Sequence, residues 1–299
     1  MMNTTVEKLV NAVEKRVAPK GYVVSFAENK KNNVGVKPGI GIRRKDDNTG
    51  IVVYVDGYAS DIEAGIFSTD KAADEIAERI DDAEVVAGYS EAKDFAKMVK
   101  SKESILANVR YSLVNKKWNE AELGNYPHKD FLDLVVLYEV RNQNATMSAK
   151  ITNDIMQNFG IAFEELDEAA NSNRDSYVSQ DMFSMMVSMM PFGEEEIEEM
   201  RKAQADGPQM YVLTNAQKVK GASALLYPEL IEDIAQKEHS DLIVIPSSIH
   251  EILMVAACGM GKDEISQMVQ EVNAQQVDEQ ERLSDNAYFY KRGSLQVTM

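Results

Sequence analysis

The residues best suited to chemistry lie together in the segment DLIVIPSSIHEILMVAA, residues 241–257. Between two apolar runs it holds two serines, a histidine and an acid, namely Ser247, Ser248, His250 and Glu251. A serine hydrolase needs a hydroxyl within hydrogen-bonding reach of an imidazole that a carboxylate orients. The four residues are therefore candidate catalytic residues, and Glu251 or Asp241 is the acid that would orient His250.

The spacing of Ser248 and His250 argues against direct proton transfer between them. On an extended strand, residues two apart project to the same face with their Cα atoms about 7 Å apart. Ser247 falls in the predicted turn and could fold back toward the imidazole. In the competing, structural interpretation, turn serines and a hydrogen-bonded histidine simply end a strand. The sequence leaves both interpretations open.

Small polar residues end two of the apolar strands predicted nearby. The strand MYVLTN ends in Thr214 and Asn215, and VIPSS ends in Ser247 and Ser248. If these strands lie side by side with their ends aligned, the polar residues and His250 converge on one edge of a sheet. Ligand sites often form where polar groups converge at strand ends. Thr214 and Asn215 are therefore candidate ligand-binding residues, although turns and helix caps use the same residue types.

Motifs for metals and cofactors fail on inspection. Three histidines and one cysteine, Cys258, cannot supply a usual structural zinc site. The segment HEILM has Met254 where a zinc protease needs its second histidine. GMGKDE has Asp263 where a phosphate loop needs Ser or Thr, and GIGIRR precedes a strand-like run instead of a helix. We therefore expect no metal and no cofactor.

The chain is strongly acidic, with 49 Asp and Glu against 32 Lys and Arg and a formal net charge of −17. Because such a surface repels phosphate backbones, we expect no direct nucleic-acid binding. No stretch approaches the roughly 18 apolar residues that a membrane span needs. Charged residues within the first 20 positions also argue against a secretory signal. These features predict a cytoplasmic protein that does not contact membranes.

A methionine-rich segment precedes a run of glutamates at residues 194–196 and 198–199. Its methionines recur at helical spacing on one face, at Met182, Met185, Met186, Met189 and Met190. Thioether side chains fill irregular gaps and repack easily, so the helix either fills a core or forms an adaptable partner surface. The five methionines are candidate partner-binding residues.

An α+β fold must position these candidates. The pattern predicts a small N-terminal α+β unit over residues 1–88, with a helix, a three-strand meander and a helix. A larger α+β domain is predicted over residues 89–299, made of strand-strand-helix units with mostly antiparallel sheet. Within it, residues 172–207 form a Met-rich and acidic helical insertion. The strands predicted for the larger domain include ESILANVRYSLVN, FLDLVVLYEV, TMSAKIT, QMYVLT, GASALLY, LIVIP and EILMVAA.

Several blocks of the sequence are similar to those of a protein family. They are PHKDFLDLVVLYEV, MYVLTN, GASALLYPELI, DLIVIPSSIHEILMV, MVQEVNAQQV and LSDNAYFY. In this order they resemble an uncharacterised bacterial family, a domain of unknown function seen mainly in anaerobic gut Firmicutes. The resemblance runs roughly over residues 90–293 and implies a bacterial cytosolic setting. It implies no activity, cofactor or site residues.

Three functional hypotheses of different classes follow. The preferred one is a protein-interaction module without catalytic activity, which binds another protein through its acidic and Met-rich surfaces. The second is an enzyme or small-ligand binder at the polar strand ends around Ser247, Ser248 and His250. The third is a nucleic-acid mimic that binds a basic protein, which requires carboxylates spaced along one stripe. The residues alone leave open whether the chain is an enzyme.

Overall fold

In the computed structural model, the chain folds into two compact units, Met1–Ser104 and Ile105–Met299. The structure describes residues 3–189, 193, 195–199, 209–246, 248–257 and 262–299. Each unit combines helices with antiparallel sheet, so the predicted α+β class is confirmed. Among the described residues, none of the helices has both the length and the apolar character needed to cross a bilayer.

The first unit is a three-stranded antiparallel sheet with flanking helices. Its helices are α1 (Thr4–Val17), α2 (Asp56–Glu63), α3 (Thr69–Arg79) and α4 (Ala83–Met98). Its strands are β1 (Tyr22–Lys31), β2 (Gly35–Arg44) and β3 (Gly50–Tyr54), in the order β1-β2-β3. The predicted meander after an N-terminal helix is therefore confirmed. Contacts place the border of this unit after Ser104, and α4 passes through residue 88.

Apolar side chains at helical spacing bind α1 to the inner face of this sheet. Leu9 and Val13 of α1 are fully buried against Ile40 and Ile42 of β2, and Ile76 of α3 joins the same core. The Asn3 side chain caps the start of α1 by accepting the backbone N–H of Thr5, as capping residues do.

The second unit holds two antiparallel sheets. Its strands are β4 (Val109–Asn115), β5 (His128–Phe131), β6 (Leu134–Arg141), β7 (Ser148–Lys150), β8 (Tyr177–Asp181), β9 (Met210–Asn215), β10 (Leu242–Ile245), β11 (Glu251–Ala256), β12 (Tyr288–Tyr290) and β13 (Val297–Thr298). One sheet has the order β4-β6-β5, with β7 also paired to β6. The other has the order β13-β12-β10-β11-β9-β8. Every residue of β6 is buried, so this strand forms the centre of the smaller sheet.

Helices connect these strands. They are α5 (Lys102–Asn108), which begins at the border of the units, α6 (Glu120–Leu123), α7 (Asn153–Phe159), α8 (Phe163–Ser172), α9 (Met182–Met189), α10 (Pro228–Glu238) and α11 (Lys262–Gln276). A 3₁₀ helix covers Gly221–Leu226. The methionine-rich helix therefore exists as α9. Of the predicted insertion at residues 172–207, positions 190–192, 194 and 200–207 lie outside the described residues.

Three local predictions differ from the structure. The segment GASALLY was predicted as a strand, which is wrong, because it forms the buried 3₁₀ helix. The first half of ESILANVRYSLVN belongs to α5, and only Val109–Asn115 is a strand. Strand β8 was not predicted at all. Periodicity alone cannot separate a short buried strand from a short buried helix, which explains the first two errors.

Candidate functional site

The ends of three neighbouring strands meet at one end of the six-stranded sheet. Strand β11 pairs with both β10 and β9, and Glu251 at its start lies opposite Thr214 near the end of β9. Thr214, Asn215, Ser248 and His250 are therefore brought to the same end of the sheet. Ser247 lies outside the described residues. Asp241 precedes β10 and so lies at the far end of that strand, which rules it out as the acid that orients His250.

The hydroxyl groups at this end are used in local hydrogen bonds. Thr214 Oγ1 donates to the carbonyl of His250 at 2.7 Å, and Ser248 Oγ accepts the backbone N–H of His250 at 3.0 Å. Ser248 is 6% exposed and its backbone bridges to Arg282. Within the described part of the chain, neither hydroxyl bonds to the imidazole ring. This geometry holds a turn together and does not align a serine for proton transfer.

The His250 ring is fixed on both sides. Its Nδ1 accepts the backbone N–H of Lys220 at 3.3 Å, which places the proton of the neutral ring on Nε2. Nε2 lies 3.5 Å from Glu281 Oε1. The partner acid is thus Glu281, whereas burial raises the pKa of Glu251 above its ordinary value. The catalytic role of Ser248, His250 and Glu251 stays a prediction to which this arrangement adds no support.

The 3₁₀ helix Gly221–Leu226 covers this end of the sheet. A Cβ atom on Gly221 would lie 2.3 Å from Thr214 Oγ1 and 2.6 Å from the His250 carbonyl oxygen. The backbone N–H of Ala222 also donates to the carbonyl of Ile249 at 3.2 Å. Only glycine allows so close an approach of two backbones. The strand ends are therefore closed by the protein's own backbone.

Behind this closed end lies a buried network of charges. Glu139 of β6 has a side chain that is 1% exposed, and its Oε2 accepts from Lys220 Nζ at 2.5 Å. Its Oε1 lies 3.0 Å from Arg141 Nε without the alignment of a hydrogen bond. Arg141 Nη1 reaches Asp175 Oδ2 at 3.1 Å, and Asn215 Nδ2 donates to the same oxygen at 3.1 Å. Asn215 therefore serves this network.

An open pocket lies elsewhere in the second unit. It has a volume of about 500 Å³, within the range of ordinary small-molecule sites. Its lining combines the chain's one tryptophan with charged and amide side chains: Asn115, Lys116, Lys117, Trp118, Glu120, Asp133, Asp285 and Asn286. We call this the Trp118 pocket. Its size and its mixed aromatic and polar lining suit a small ligand.

Two cavities of the first unit fit a ligand less well. The apolar void beside Ile42, Ile51 and Ile80 holds about 30 Å³, far below the roughly 300–1,000 Å³ of small-molecule sites. A larger polar depression is lined by side chains that pair with one another, such as Lys20 with Asp81 and Lys93 with Asp47. Groups that are already paired leave little for a ligand to bind.

Asp133 is the most highly constrained side chain of the Trp118 pocket. Its Oδ2 accepts from Ser284 Oγ at 2.7 Å and from Asn286 Nδ2 at 2.8 Å, and its Oδ1 accepts from the Tyr288 hydroxyl. Burial, together with the Asp133 carboxylate, raises the pKa of Tyr288, so the phenol stays protonated and donates. Among the described residues, no Lys or Arg forms an ion pair with Asp133. The donors that the described residues supply to this carboxylate are all neutral.

Local chain geometry brings Asp133 and Trp118 together. Asp133 and Leu132 form the two-residue connection of β5 and β6, with Leu132 in the left-handed region at φ 55°. The residue after β4 continues the same wall, since Asp133 O accepts the backbone N–H of Lys116 at 3.0 Å. Asn115 Oδ1 accepts the backbone N–H of Trp118 at 3.1 Å and so fixes the turn that carries the indole.

The pocket was missed at the level of sequence because its residues come from distant segments. Residues 115–120 run from the end of β4 to the start of α6, Asp133 lies in a hairpin, and Asp285 and Asn286 follow α11. Each segment has an ordinary turn composition. The one visible signal is the sequence NKKW, in which the lone tryptophan follows a buried strand within a polar turn.

The methionine stripe is partly accessible. Met182, Met185 and Met186 of α9 are half-buried, and α9 packs on β8 and β9. The side chain of Met189 and all of Met190 lie outside the described residues. Among the described residues, no cluster of three or more His, Cys, Asp and Glu could hold a metal ion.

Comparison with protein families gives a match over residues 2–292, to a model described as a family of unknown function (DUF5688). The match covers nearly the whole chain, including the strand ends and the Trp118 pocket. The expectation of an uncharacterised family is thereby confirmed. Comparisons with curated proteins and with solved structures gave no match.

Proposed function

Since the chain belongs to this family of unknown function, we propose its role from its own geometry: it binds a small organic cation, such as an amine, in the Trp118 pocket. The observation that carries the proposal is the Asp133 carboxylate, which lines the pocket without a Lys or Arg partner among the described residues. Because a half-buried carboxylate has lost part of its hydration, the binding of a cationic ligand beside it is energetically favourable.

Asp133 also has capacity for one more hydrogen bond. A carboxylate offers about four lone-pair sites. Three are occupied, two on Oδ2 by Ser284 and Asn286 and one on Oδ1 by Tyr288. No donor from the described part of the chain occupies the fourth, on Oδ1, which is available to an N–H group of a ligand. Because the protein donors fix the carboxylate in place, binding requires little reorganisation.

Trp118 supplies the second element of cation binding. Tryptophan has the most favourable ring for a cation–π contact, worth about 0.5–2 kcal/mol depending on desolvation. The lysines of the pocket oppose a cation only weakly. Lys116 pairs with Asp130 at 2.7 Å, and Lys117 is exposed, so solvent and salt screen its charge. Asp285 adds a second carboxylate to the lining.

The lone tryptophan provides a direct test. Titration of the full chain with a panel of primary and quaternary amines should change the emission of Trp118 in a saturable way. Asp133→Asn should weaken binding by about 10- to 100-fold, because a hydrogen bond to a charged group contributes about 1.5–3 kcal/mol. Asp154→Asn, which makes the same charge change at an exposed position of α7, should leave the affinity unchanged. Equal affinity of the Asp133 variant and the wild-type protein would refute the proposal.

A second candidate function is protein binding through the α9 surface, defined by Met182, Met185, Met186 and edge strand β8. Val178 of β8 is 48% exposed on the last strand of the six-stranded sheet, and such edges accept added strands. The glutamates after α9 favour a basic partner segment with apolar residues. Met189 and Met190 remain predicted members of this surface.

A synthetic basic amphipathic peptide is the probe for this second function. It should bind the wild-type chain, and Val178→Arg should weaken binding by placing a charge on the edge. Val36→Arg changes a valine of equal exposure, 48%, in the first unit and serves as the control. If both variants bind the peptide equally well, the α9 surface is not its site.

The setting expected for either function is the bacterial cytoplasm. A nucleic-acid mimic receives less support, because several carboxylates are paired with cations, as Asp70 and Asp74 are with Arg16. A phosphate-like stripe needs carboxylates that are available to the partner.

A further inference from the structure

A second polar cluster lies where β7 pairs with β6. Across this pair, Lys150 lies opposite Glu139 and Ser148 lies opposite Arg141. Side chains directly opposite each other on antiparallel strands project from the same face. Lys220 reaches this face from the start of the 3₁₀ helix, because its Nζ donates to Ser148 Oγ at 2.9 Å. We call Ser148, Lys150 and Lys220 the lysine cluster.

Lys150 lies opposite Glu139 but does not form an ion pair with it among the described contacts. Both oxygens of Glu139 face other cations, Oε2 at 2.5 Å from Lys220 Nζ and Oε1 at 3.0 Å from Arg141 Nε. Among the described residues, no acid forms an ion pair with Lys150, whose Nζ lies 5.4 Å from the centre of the Tyr126 ring. Burial, with repulsion from Lys220, lowers the pKa of Lys150, while Glu139 and Glu122 oppose this only from a distance.

The surrounding charges do not balance. Four cations, Arg110, Arg141, Lys150 and Lys220, share this region with three anions, Glu122, Glu139 and Asp175. Four positive charges less three negative charges leave an excess of one. In a chain with a net charge of −17, such a local excess is unusual. It creates a positive potential that attracts an anion from solution.

Hydrogen-bond donors of the lysine cluster are also available. Lys220 Nζ uses two of its three N–H groups, on Glu139 and Ser148. Ser148 Oγ accepts from Lys220, so its own hydrogen is free to donate, and the side chain is exposed. Lys150 adds its ammonium group. We propose that Ser148, Lys150 and Lys220 bind a phosphate group, either as inorganic phosphate or as part of a phosphate ester.

Several features match the chemistry of phosphate. Its oxygens accept several hydrogen bonds at once, and charge-assisted bonds from ammonium groups are short and strong. Lys150 and Lys220 are half-buried, so solvent screens the anion less than it would at a fully exposed lysine. The site is separate from the Trp118 pocket and does not depend on the function proposed for it.

Calorimetric titration of the full chain at constant ionic strength tests this site. Inorganic phosphate or a simple phosphate monoester should bind saturably, and Lys150→Met should weaken binding by at least about tenfold, since one charge-assisted hydrogen bond is lost. Lys291→Met removes an exposed lysine of the same unit and should have no effect. Binding of the ester alone would identify the ester as the ligand, whereas absence of binding by both would overturn the proposal.

Thermal unfolding gives an independent measurement. Phosphate should raise the melting temperature of the wild-type protein and of Lys291→Met, and should raise that of Lys150→Met by less. Ser148→Ala should bind phosphate several-fold more weakly. Because this change removes no charge, the ion pair between Glu139 and Lys220 is retained in the variant. If Lys150→Met and the wild-type protein respond equally to phosphate, the anion binds elsewhere and the assignment is wrong.

Discussion

Asp167 collects three hydrogen bonds on a single carboxylate oxygen. Its Oδ1 accepts from the hydroxyls of Tyr111 and Tyr138, each at 2.8 Å, and from Lys129 Nζ at 2.5 Å. Burial alone would raise the pKa of Asp167, but the hydrogen bonds from Lys129 and the two tyrosines outweigh it and hold the pKa below its usual value. The charged carboxylate therefore ties α8 to strands β4, β5 and β6.

This arrangement predicts an acid-dependent loss of stability. A group whose pKa is lowered by folding contributes stability above its unfolded value, near 3.9, and loses that contribution as the pH falls through its folded value. Asp167→Asn should lower the free energy of unfolding by about 1–3 kcal/mol at neutral pH. The difference from wild type should shrink below about pH 4, as measured by urea unfolding across pH. A constant difference down to pH 2 would contradict the assigned role, and Asp154→Asn is the control.

Glu139 is a fully buried carboxylate, and of its two cationic partners Arg141 is buried and Lys220 is half-buried. Glu139→Gln would leave Lys220 and Arg141 without their shared charge, and breaking a buried ion pair costs about 3–5 kcal/mol. Glu229→Gln breaks the exposed pair with Arg174, which should cost at most about 1 kcal/mol. Chemical unfolding of both variants measures the comparison. Similar costs for the two would show that the network around Glu139 is effectively hydrated.

At the scale of elements, the 3₁₀ helix Gly221–Leu226 has an exacting fit against β9 and β11. A methyl group on Gly221 would overlap Thr214 Oγ1, the Asn215 backbone nitrogen and the His250 carbonyl. Gly221→Ala should therefore lower the free energy of unfolding by at least about 2 kcal/mol, because backbone atoms of packed strands cannot move aside without disturbing the sheet. Gly124→Ala, with open space at its Cβ, should be neutral or slightly stabilising. Urea unfolding decides, and equal stability of the two variants would refute the close fit.

Much of the element order could be predicted from the sequence, for reasons that differ between segments. The hairpin of β10 and β11 follows from two apolar runs around a turn that contains Pro246, and α10 from Pro228 at its first position. A strand was wrongly predicted for the segment GASALLY because a fully buried run has no polar face from which the helical or strand period can be recognised. Strand β8, YVSQD, is an edge with three exposed residues and few apolar ones, so it has little strand signal.

The candidate site was predictable only in part. Convergence of Thr214 and His250 follows from aligned strand ends, and the structure shows it. Closure by Gly221 does not follow, since it depends on tertiary packing of a distant segment. Asp133 and Trp118 line the same pocket because the β5–β6 hairpin and the turn after β4 pack together. The spacing of these residues in the sequence does not predict this proximity.

At the scale of the whole molecule, two electrostatic effects of added salt oppose each other. Salt weakens exposed ion pairs such as Lys20 with Asp81, but each of these contributes at most about 1 kcal/mol. Salt also screens the mutual repulsion of a chain with 49 acidic and 32 basic residues. The screening length falls from about 30 Å at 0.01 M to about 8 Å at 0.15 M, so the long-range repulsion is reduced most.

The net charge of −17 therefore predicts that sodium chloride stabilises the protein. Between 0.01 and 0.15 M, we expect the melting temperature to rise by about 2–4 °C, equivalent to about 1 kcal/mol in a chain of this size. Replacement of Glu195, Glu196, Glu198 and Glu199 by glutamine removes four negative charges, from −17 to −13, and should reduce the salt response. Chloride is the anion of choice because phosphate would also occupy the lysine cluster. A melting temperature that falls with chloride would mean that exposed ion pairs outweigh the repulsion.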